Sequence, residues 1–284
     1  MNLKRQKQAL GITINAARAA GKLIRQNWHS VKTVNEETSH DIKLELDVRC
    51  QKLIEKKLHT ALPHIALLGE EGVAGNADAE FRWVVDPIDG TVNFAHGIPH
   101  ACVSIALQRR VSGAKGQVSG LARSRAAQLE TQNSQHETLL GVVYDPFTDE
   151  LWTAVRGQAA RLNGKVIHVS RRKKLSEAIV AIGFAKNKDN MKKSLPYFTQ
   201  LAPRCRKIRM MGSAALALTY TASGRFDAYI ERGISLWDIA AGGLILECAG
   251  GEFWHEPISG EHKYRMVASN GLLRKQLRLG TLFS

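Results

Sequence analysis

Apolar residues in the first thirty positions recur at four- and three-residue steps: Leu10, Ile14, Ala17, Gly21, Ile24 and Trp28. Arg18, Lys22 and Arg25 fall on another face, so residues 3–28 are predicted to form an amphipathic helix. A second helix is predicted from about Asp47 to Leu62, with Val48, Leu53, Ile54 and Leu58 on its apolar side. Short apolar runs then mark strands. One covers 65–68 and leads into Gly69-Glu70-Glu71-Gly72, one covers 83–85 and ends at Asp86-Pro87, and one covers 101–107. Residues 139–144 and 150–155 read as a hairpin about Asp145-Pro146, and Asn163-Gly164 marks a tight turn between 159–162 and 166–169.

The second half alternates in the same way. A strand at 178–183 is followed by a helix reaching Leu201 and a strand at 207–211. Gly212-Ser213 then opens a helix carrying Ala215, Leu216, Leu218 and Ala222, which Gly224 ends. A strand at 227–230 precedes Asp238, placed as the N-cap of an apolar helix over 239–249 that Gly250-Gly251 terminate. Mixed strands and helices throughout predict an α/β or α+β layered sandwich. The expected division is an N-terminal half, 1–175, and a C-terminal half, 176–284. Residues 109–138 break the pattern: they are polar, hold five Lys/Arg and two Glu, and contain no aromatic residue. They are read as a basic, mobile surface insertion.

Composition narrows the class. A chain of 284 residues with 44% hydrophobic and 23% charged residues can bury a large core. Its apolar runs are too short and too often interrupted for a membrane span. The N-terminus shows no signal-peptide pattern, so a cytoplasmic location is expected. Cys50, Cys102, Cys205 and Cys248 are scattered, which argues against a zinc site or a disulfide framework. The formal net charge is +14, with clusters at Arg171-Arg172-Lys173-Lys174, from Lys186 to Lys193, and from Arg204 to Arg209. Such a surface attracts phosphorylated metabolites and leaves room for weak nucleic-acid binding, although no aromatic residues interleave with the clusters.

The candidate chemistry lies in Asp86-Pro87-Ile88-Asp89-Gly90-Thr91. Two carboxylates at a strand end suit a hard divalent cation, and the helix start at Gly90-Thr91 suits a phosphate. Each acid alone also reads as a turn or cap residue. Position 12 of an EF-hand loop counted from Asp86 would be Gly97, which excludes that motif, and no Walker A or G-x-S-x-G sequence occurs. Glu70-Glu71, Asp47 and Asp238 also stand at strand ends or helix starts. Several such acids in one cleft would repel unless protonated or cation-bound, and a multi-metal site removes the conflict.

Five motifs in order carry a resemblance. They are Gly69-Glu70-Glu71, the stretch from Asp86 to Phe94, Gly141-Val142-Val143-Tyr144-Asp145-Pro146, Gly212-Ser213-Ala214-Ala215 and Trp237-Asp238-Ile239-Ala240-Ala241-Gly242. On these the chain resembles the inositol monophosphatase family of Mg²⁺-dependent, lithium-sensitive phosphatases, over most of its length outside 109–138. The resemblance implies an αβαβα sandwich of the inositol monophosphatase and fructose-1,6-bisphosphatase type, commonly homodimeric. It also implies two or three Mg²⁺ ions per site, held by Glu70, Asp86, the Ile88 carbonyl, Asp89 and Asp238. Asp47 and Thr91 fall on the water-activating pair, assisted by Glu70. Phosphate would rest on the amides of Gly90 and Thr91, and substrate hydroxyls on Asp89, Gly212, Ser213, Ala214, Glu231 and Asp238.

Three positions depart from the family pattern. Asp41-Ile42-Lys43-Leu44-Glu45-Leu46 stands where the family usually has Asp-x-Val-Thr, Val92 replaces a frequent threonine, and 109–138 replaces a short hairpin turn. The expected activity is Mg²⁺-dependent hydrolysis of a small phosphorylated polyol, with inositol 1-phosphate first, by a metal-activated water. Histidinol phosphate, fructose 1,6-bisphosphate and a 3′-phosphoadenosine nucleotide are the alternatives within that chemistry. An RNA- or transcription-complex-binding factor retaining the phosphatase fold is the alternative outside it.

Overall fold

The computed structural model describes residues 3–37, 42–76, 79–111, 136–184 and 188–277. The predicted 109–138 insertion lies largely outside them; its two ends, 109–110 and 136–138, belong to strands and are not part of an insertion. Helix α1 (Leu3–Gln26) is followed by the short antiparallel pair β1 (Val34–Glu37) and β2 (Ile42–Leu44), then by α2 (Glu45–Ala61). Next come β3 (Ala66–Gly69), β4 (Gly72–Ala74), β5 (Phe81–Asp89), α3 (Thr91–Ala95), β6 (Cys102–Arg110) and β7 (His136–Asp145). With β8 (Glu150–Val155), β9 (Arg161–Leu162) and β10 (Lys165–Val166) these strands build an eight-stranded sheet, ordered β10-β9-β8-β7-β6-β5-β3-β4.

A five-stranded sheet follows, built from β11 (Ile179–Ile182), β12 (Lys207–Arg209), β13 (Ala228–Ser235), β14 (Glu252–Pro257) and β15 (Lys263–Ser269), in the order β12-β11-β13-β15-β14. Its helices are α4 (Lys188–Leu201), α5 (Ala214–Ala222), α6 (Leu236–Cys248) and the terminal turn α7 (Arg274–Leu277).

Period-two alternation explains how the layers stack. On β5, Trp83 and Val85 face a cluster with Ala17, Ala20 and Ile24 of α1 and Ile54 and Leu58 of α2. Val84 points the other way, into a cluster with Leu218 of α5 and Leu244 of α6. On the second sheet, Ala181 and Tyr229 share that middle cluster, while Val180, Ile182, Ala228 and Ile230 pack outward on Tyr197 and Leu201 of α4. The result is an αβαβα sandwich with buried sheet faces, which is why its central strands read as nearly continuous apolar runs. Helix α6 is apolar around its whole circumference because a sheet lies on either side of it.

Several expectations shift in detail. The buried face of α1 is Ala9, Thr13, Ala16, Ala17, Ala20 and Ile24, whereas Leu10 and Ile14 are only half-buried. Small side chains let the helix lie close to its neighbours, and the larger ones pack along the margin. Strand β5 does not stop at Asp86-Pro87. It continues to Asp89 through a register irregularity against β6 between Asp86 and Asp89. That bulge brings both carboxylates to the same end of the sheet. Glu70-Glu71 occupies the turn of the β3–β4 hairpin, and the β14–β15 hairpin had no counterpart among the expected elements.

Candidate active site

Two of the acids are placed by helix starts. Asp238 was expected to be an N-cap; the N-cap is instead Ser235, and Asp238 is the third residue of α6. Its Oδ2 accepts the Ser235 N–H at 2.9 Å. Asp47 likewise sits third in α2, where its Oδ2 accepts the Leu44 N–H at 2.8 Å. Each carboxylate thus caps its helix and is held toward the same cleft. Leu44 takes the N-cap position that the family usually gives to threonine, so this cap has one half only. The missing hydroxyl costs about 1 kcal/mol, while burying Leu44 (1% exposed) returns about 2 kcal/mol. The departure therefore leaves Asp47 anchored.

The remaining acids come from strand ends. Oxygens of Asp86, Asp89 and Asp238 all lie within 4.8 Å of one another. Burial raises the pKa of Asp86 well above the usual carboxylate range, and the charges of Glu70, Asp89 and Asp238 push it further. Asp89 is raised to about 6 by burial and by Asp238, against the hydrogen bonds it accepts. These come from the Ser213 hydroxyl at 2.7 Å and the amides of Ala214 at 3.2 Å and Ala215 at 2.6 Å. The start of α5 therefore points at Asp89 and favours its charged form. Of the turn expected to meet substrate hydroxyls, Gly212 lies against Asn93, while the Ser213 hydroxyl and the Ala214 amide donate to Asp89.

Between Asp47 and the strand end lies Thr91. Its Oγ1 stands 3.2 Å from Asp47 Oδ1 and 2.8 Å from the Ile88 carbonyl oxygen. Burial, then the charge of Glu71, raises the Asp47 pKa to about 7. Gly90 precedes α3 with φ +98°, and a Cβ there would stand 2.8 Å from the His100 carbonyl oxygen, so glycine is required at the corner. The amides at this helix start have no intrahelical acceptor, which leaves them available to an anion.

Asn93 went without a role in the sequence reading. Its Nδ2 donates to the Met211 carbonyl at 2.8 Å and to the His100 carbonyl at 2.9 Å, tying the 211–213 turn to the Gly90 corner. A polar residue inside the otherwise apolar Val92-Asn93-Phe94 was the available signal. Glu231 lies on β13 and accepts a hydrogen bond from the Tyr229 hydroxyl. The four cysteines are free, and the Cys102 thiol rests against Asp89 and Ser213. Among the described residues no helix is long and apolar enough to cross a membrane.

This geometry has a pH consequence. Asp47 and Asp86 titrate in the folded protein above the ordinary carboxylate value, so the folded, metal-free protein binds protons that the unfolded chain has already released. The Asp47 contribution is complete at low pH and is lost as pH rises through about 7, and burial with the neighbouring charges shifts Asp86 in the same direction. Half-buried His136 and His255, lowered to about 4, act in the opposite sense, but only below the ordinary histidine value of 6.5. Between about pH 6.5 and 8 the metal-free protein is therefore expected to lose thermal stability, and added Mg²⁺ to restore it. Melting curves across that range check this; a flat or rising profile without metal would contradict it.

The comparisons agree with the architecture. Residues 5–118 and 132–277 match the inositol monophosphatase family, leaving 119–131 between the two matched segments. The chain belongs to this family. It is 38% identical over 273 residues to Nus factor SuhB of Pseudomonas aeruginosa, covering 92% of this chain and 91% of that one. It is 35% identical over 278 residues to inositol-1-monophosphatase of Rhizobium meliloti, covering 95% and 94%. Among solved structures, extragenic suppressor protein suhB from Bartonella henselae superposes with a TM-score of 0.79 at 31% identity, over 94% of this chain and 95% of that one.

Proposed function

We propose that the protein is a Mg²⁺-dependent phosphomonoesterase acting on a small phosphorylated polyol, with inositol 1-phosphate as the leading substrate. The observation that carries the reading is the Asp86–Asp89–Asp238 cluster, with Asp86 and Asp89 buried and Asp238 half-buried, whose oxygens crowd within 4.8 Å of one another. Like charges buried this closely are relieved by a hard cation, and an all-oxygen donor set suits Mg²⁺. Glu70, Asp86, Asp89, Asp238 and the Ile88 carbonyl would hold it. When bound, the cation would lower the pKa of an attacking water and neutralise charge on the phosphate.

The chain's own residues supply the rest. Asp47, whose carboxyl loses its proton only as pH rises through about 7, would in its ionised form accept the Thr91 proton, so that the Thr91 oxygen can take a proton from water. The amides of Gly90 and Thr91 would orient the phosphate, and Glu231 would accept substrate hydroxyls. Initial rates of phosphate release from inositol 1-phosphate, histidinol phosphate, fructose 1,6-bisphosphate and a 3′-phosphoadenosine nucleotide test this assignment. Inositol 1-phosphate is expected to show the highest kcat/KM, and equal rates across the panel would overturn the polyol reading.

A second reading draws on one observation. Exposed Arg171, Lys173 and Lys174 line an open surface depression together with Arg172 and Glu177. Exposed Arg206 and Lys207 adjoin it, both donating backbone bonds to the Ala178 carbonyl. Such a surface suits a nucleic-acid backbone, and several similar proteins are named Nus factors. Salt-dependent binding of a single-stranded RNA, weakened by Lys173→Glu with Lys174→Glu, would support it; binding insensitive to both would remove it.

A further inference from the structure

We infer that Tyr229 is a positioning residue: its hydroxyl orients the Glu231 carboxylate in a space that the absent side chain of Gly183 leaves open. This rests on the phosphomonoesterase reading and deepens it, because it assigns the discrimination of the polyol part of the substrate to three residues. The register of the second sheet places them together. Strands β11 and β13 run parallel with Ile182 opposite Ile230, and the Gly183 N–H donates to the Ile230 carbonyl at 3.0 Å. Gly183 and Glu231 are thus neighbours at the end of β11. Tyr229 and Glu231 are two residues apart on one strand and project from one face, the face that carries the middle layer.

Three observations converge on the carboxylate. The Tyr229 hydroxyl donates to Glu231 Oε2. A Cβ built on Gly183 would overlap the Glu231 carboxylate, so any larger residue there displaces it. Tyr229 is 3% exposed and lies close enough to Asp89 and Asp238 for their charges to act on it, so Glu231 is fixed beside the acid cluster. Just beyond Glu231 the β13–β15 register shifts between Arg232 and Ile234, a bulge that turns the strand at this point.

The arrangement is selective. A phenol held in its neutral form donates its one proton to the carboxylate, which then serves only as an acceptor. A substrate therefore has to present a hydroxyl to Glu231 while its phosphate sits at the Gly90 corner. A ligand without that hydroxyl gains nothing from the pair. Fixing the carboxylate in advance removes the side-chain entropy that binding would otherwise cost.

The test compares inositol 1-phosphate with p-nitrophenyl phosphate, which has no hydroxyl to offer, at saturating Mg²⁺. Tyr229→Phe is expected to lower the ratio of kcat/KM for inositol 1-phosphate to that for p-nitrophenyl phosphate about tenfold, a typical loss for one hydrogen bond to a charged group. The loss is expected in KM for inositol 1-phosphate. Gly183→Ala should shift the same ratio in the same direction. In a Glu231→Gln background Tyr229→Phe should shift it no further, because the two residues act as one unit. An unchanged ratio in Tyr229→Phe, or equal losses on both substrates, overturns the inference. Wild-type protein that hydrolyses neither substrate with Mg²⁺ overturns the phosphomonoesterase reading instead, so the two failures are distinct.

Discussion

Asp86→Asn is expected to reduce Mg²⁺-dependent phosphate release about a thousandfold while raising the stability of the metal-free protein. Both effects come from the same crowding. Asp86 is 1% exposed and feels the charges of Glu70, Asp89 and Asp238. An amide at that position removes one like charge from a buried cluster, which relieves the metal-free state. It would also remove an anionic donor from the proposed cation site, where Lewis-acid stabilisation would contribute several kcal/mol to the transition state, and about 4 kcal/mol corresponds to a factor near a thousand. Paired measurements check it: phosphate release at saturating Mg²⁺, and Tm with and without Mg²⁺ at pH 7.5. In the variant, Tm without metal should exceed that of the parent protein, and Mg²⁺ should raise it little. Activity within threefold of the parent, or a fall in metal-free Tm, would contradict the account.

Asp47→Asn is the second large effect, and it separates proton transfer from binding. Asp47 accepts the Leu44 N–H at 2.8 Å and lies 3.2 Å from the Thr91 hydroxyl. The amide can keep one of these contacts, but it cannot take up the Thr91 proton. A positioned general base contributes a factor of about a hundred to ten thousand, so kcat should fall by at least about a hundredfold with KM nearly unchanged. Steady-state kinetics on inositol 1-phosphate decide this. A variant that lost affinity while keeping kcat would place Asp47 in substrate binding and remove it from catalysis. Metal binding should survive, because Asp47 lies outside the Asp86–Asp89–Asp238 cluster.

The motifs were legible because their chemistry is local. Gly90, Asp86 and Asp89 belong to one strand end and one turn, and the constraints on a strand-to-helix corner act over a few residues. The same locality made Gly224 and Gly250 readable as helix stops, and both adopt positive φ. What escaped was register. Asp238 was placed at the cap and Asp47 at the helix start, yet each stands third in its helix, because an acid that caps from inside looks the same in sequence as one that caps from the flank. The apolar face of α1 rotated toward alanines, since burial there follows close approach to neighbouring elements and large side chains are left at the edge. Asn93 and the Tyr229–Glu231–Gly183 group depend on segments far apart in the chain. Glu231 was placed in the site through family resemblance, but the partners that hold it became visible only when β11 lay beside β13.

The most direct measurement is hydrolysis of inositol 1-phosphate by the wild-type protein in ¹⁸O-labelled water, with Mg²⁺ and after complete chelation. The account predicts rapid release of phosphate carrying one solvent oxygen in the presence of Mg²⁺, and loss of turnover when the divalent cation is removed. Sustained turnover without any divalent cation, or no turnover with Mg²⁺ at any concentration, would contradict it.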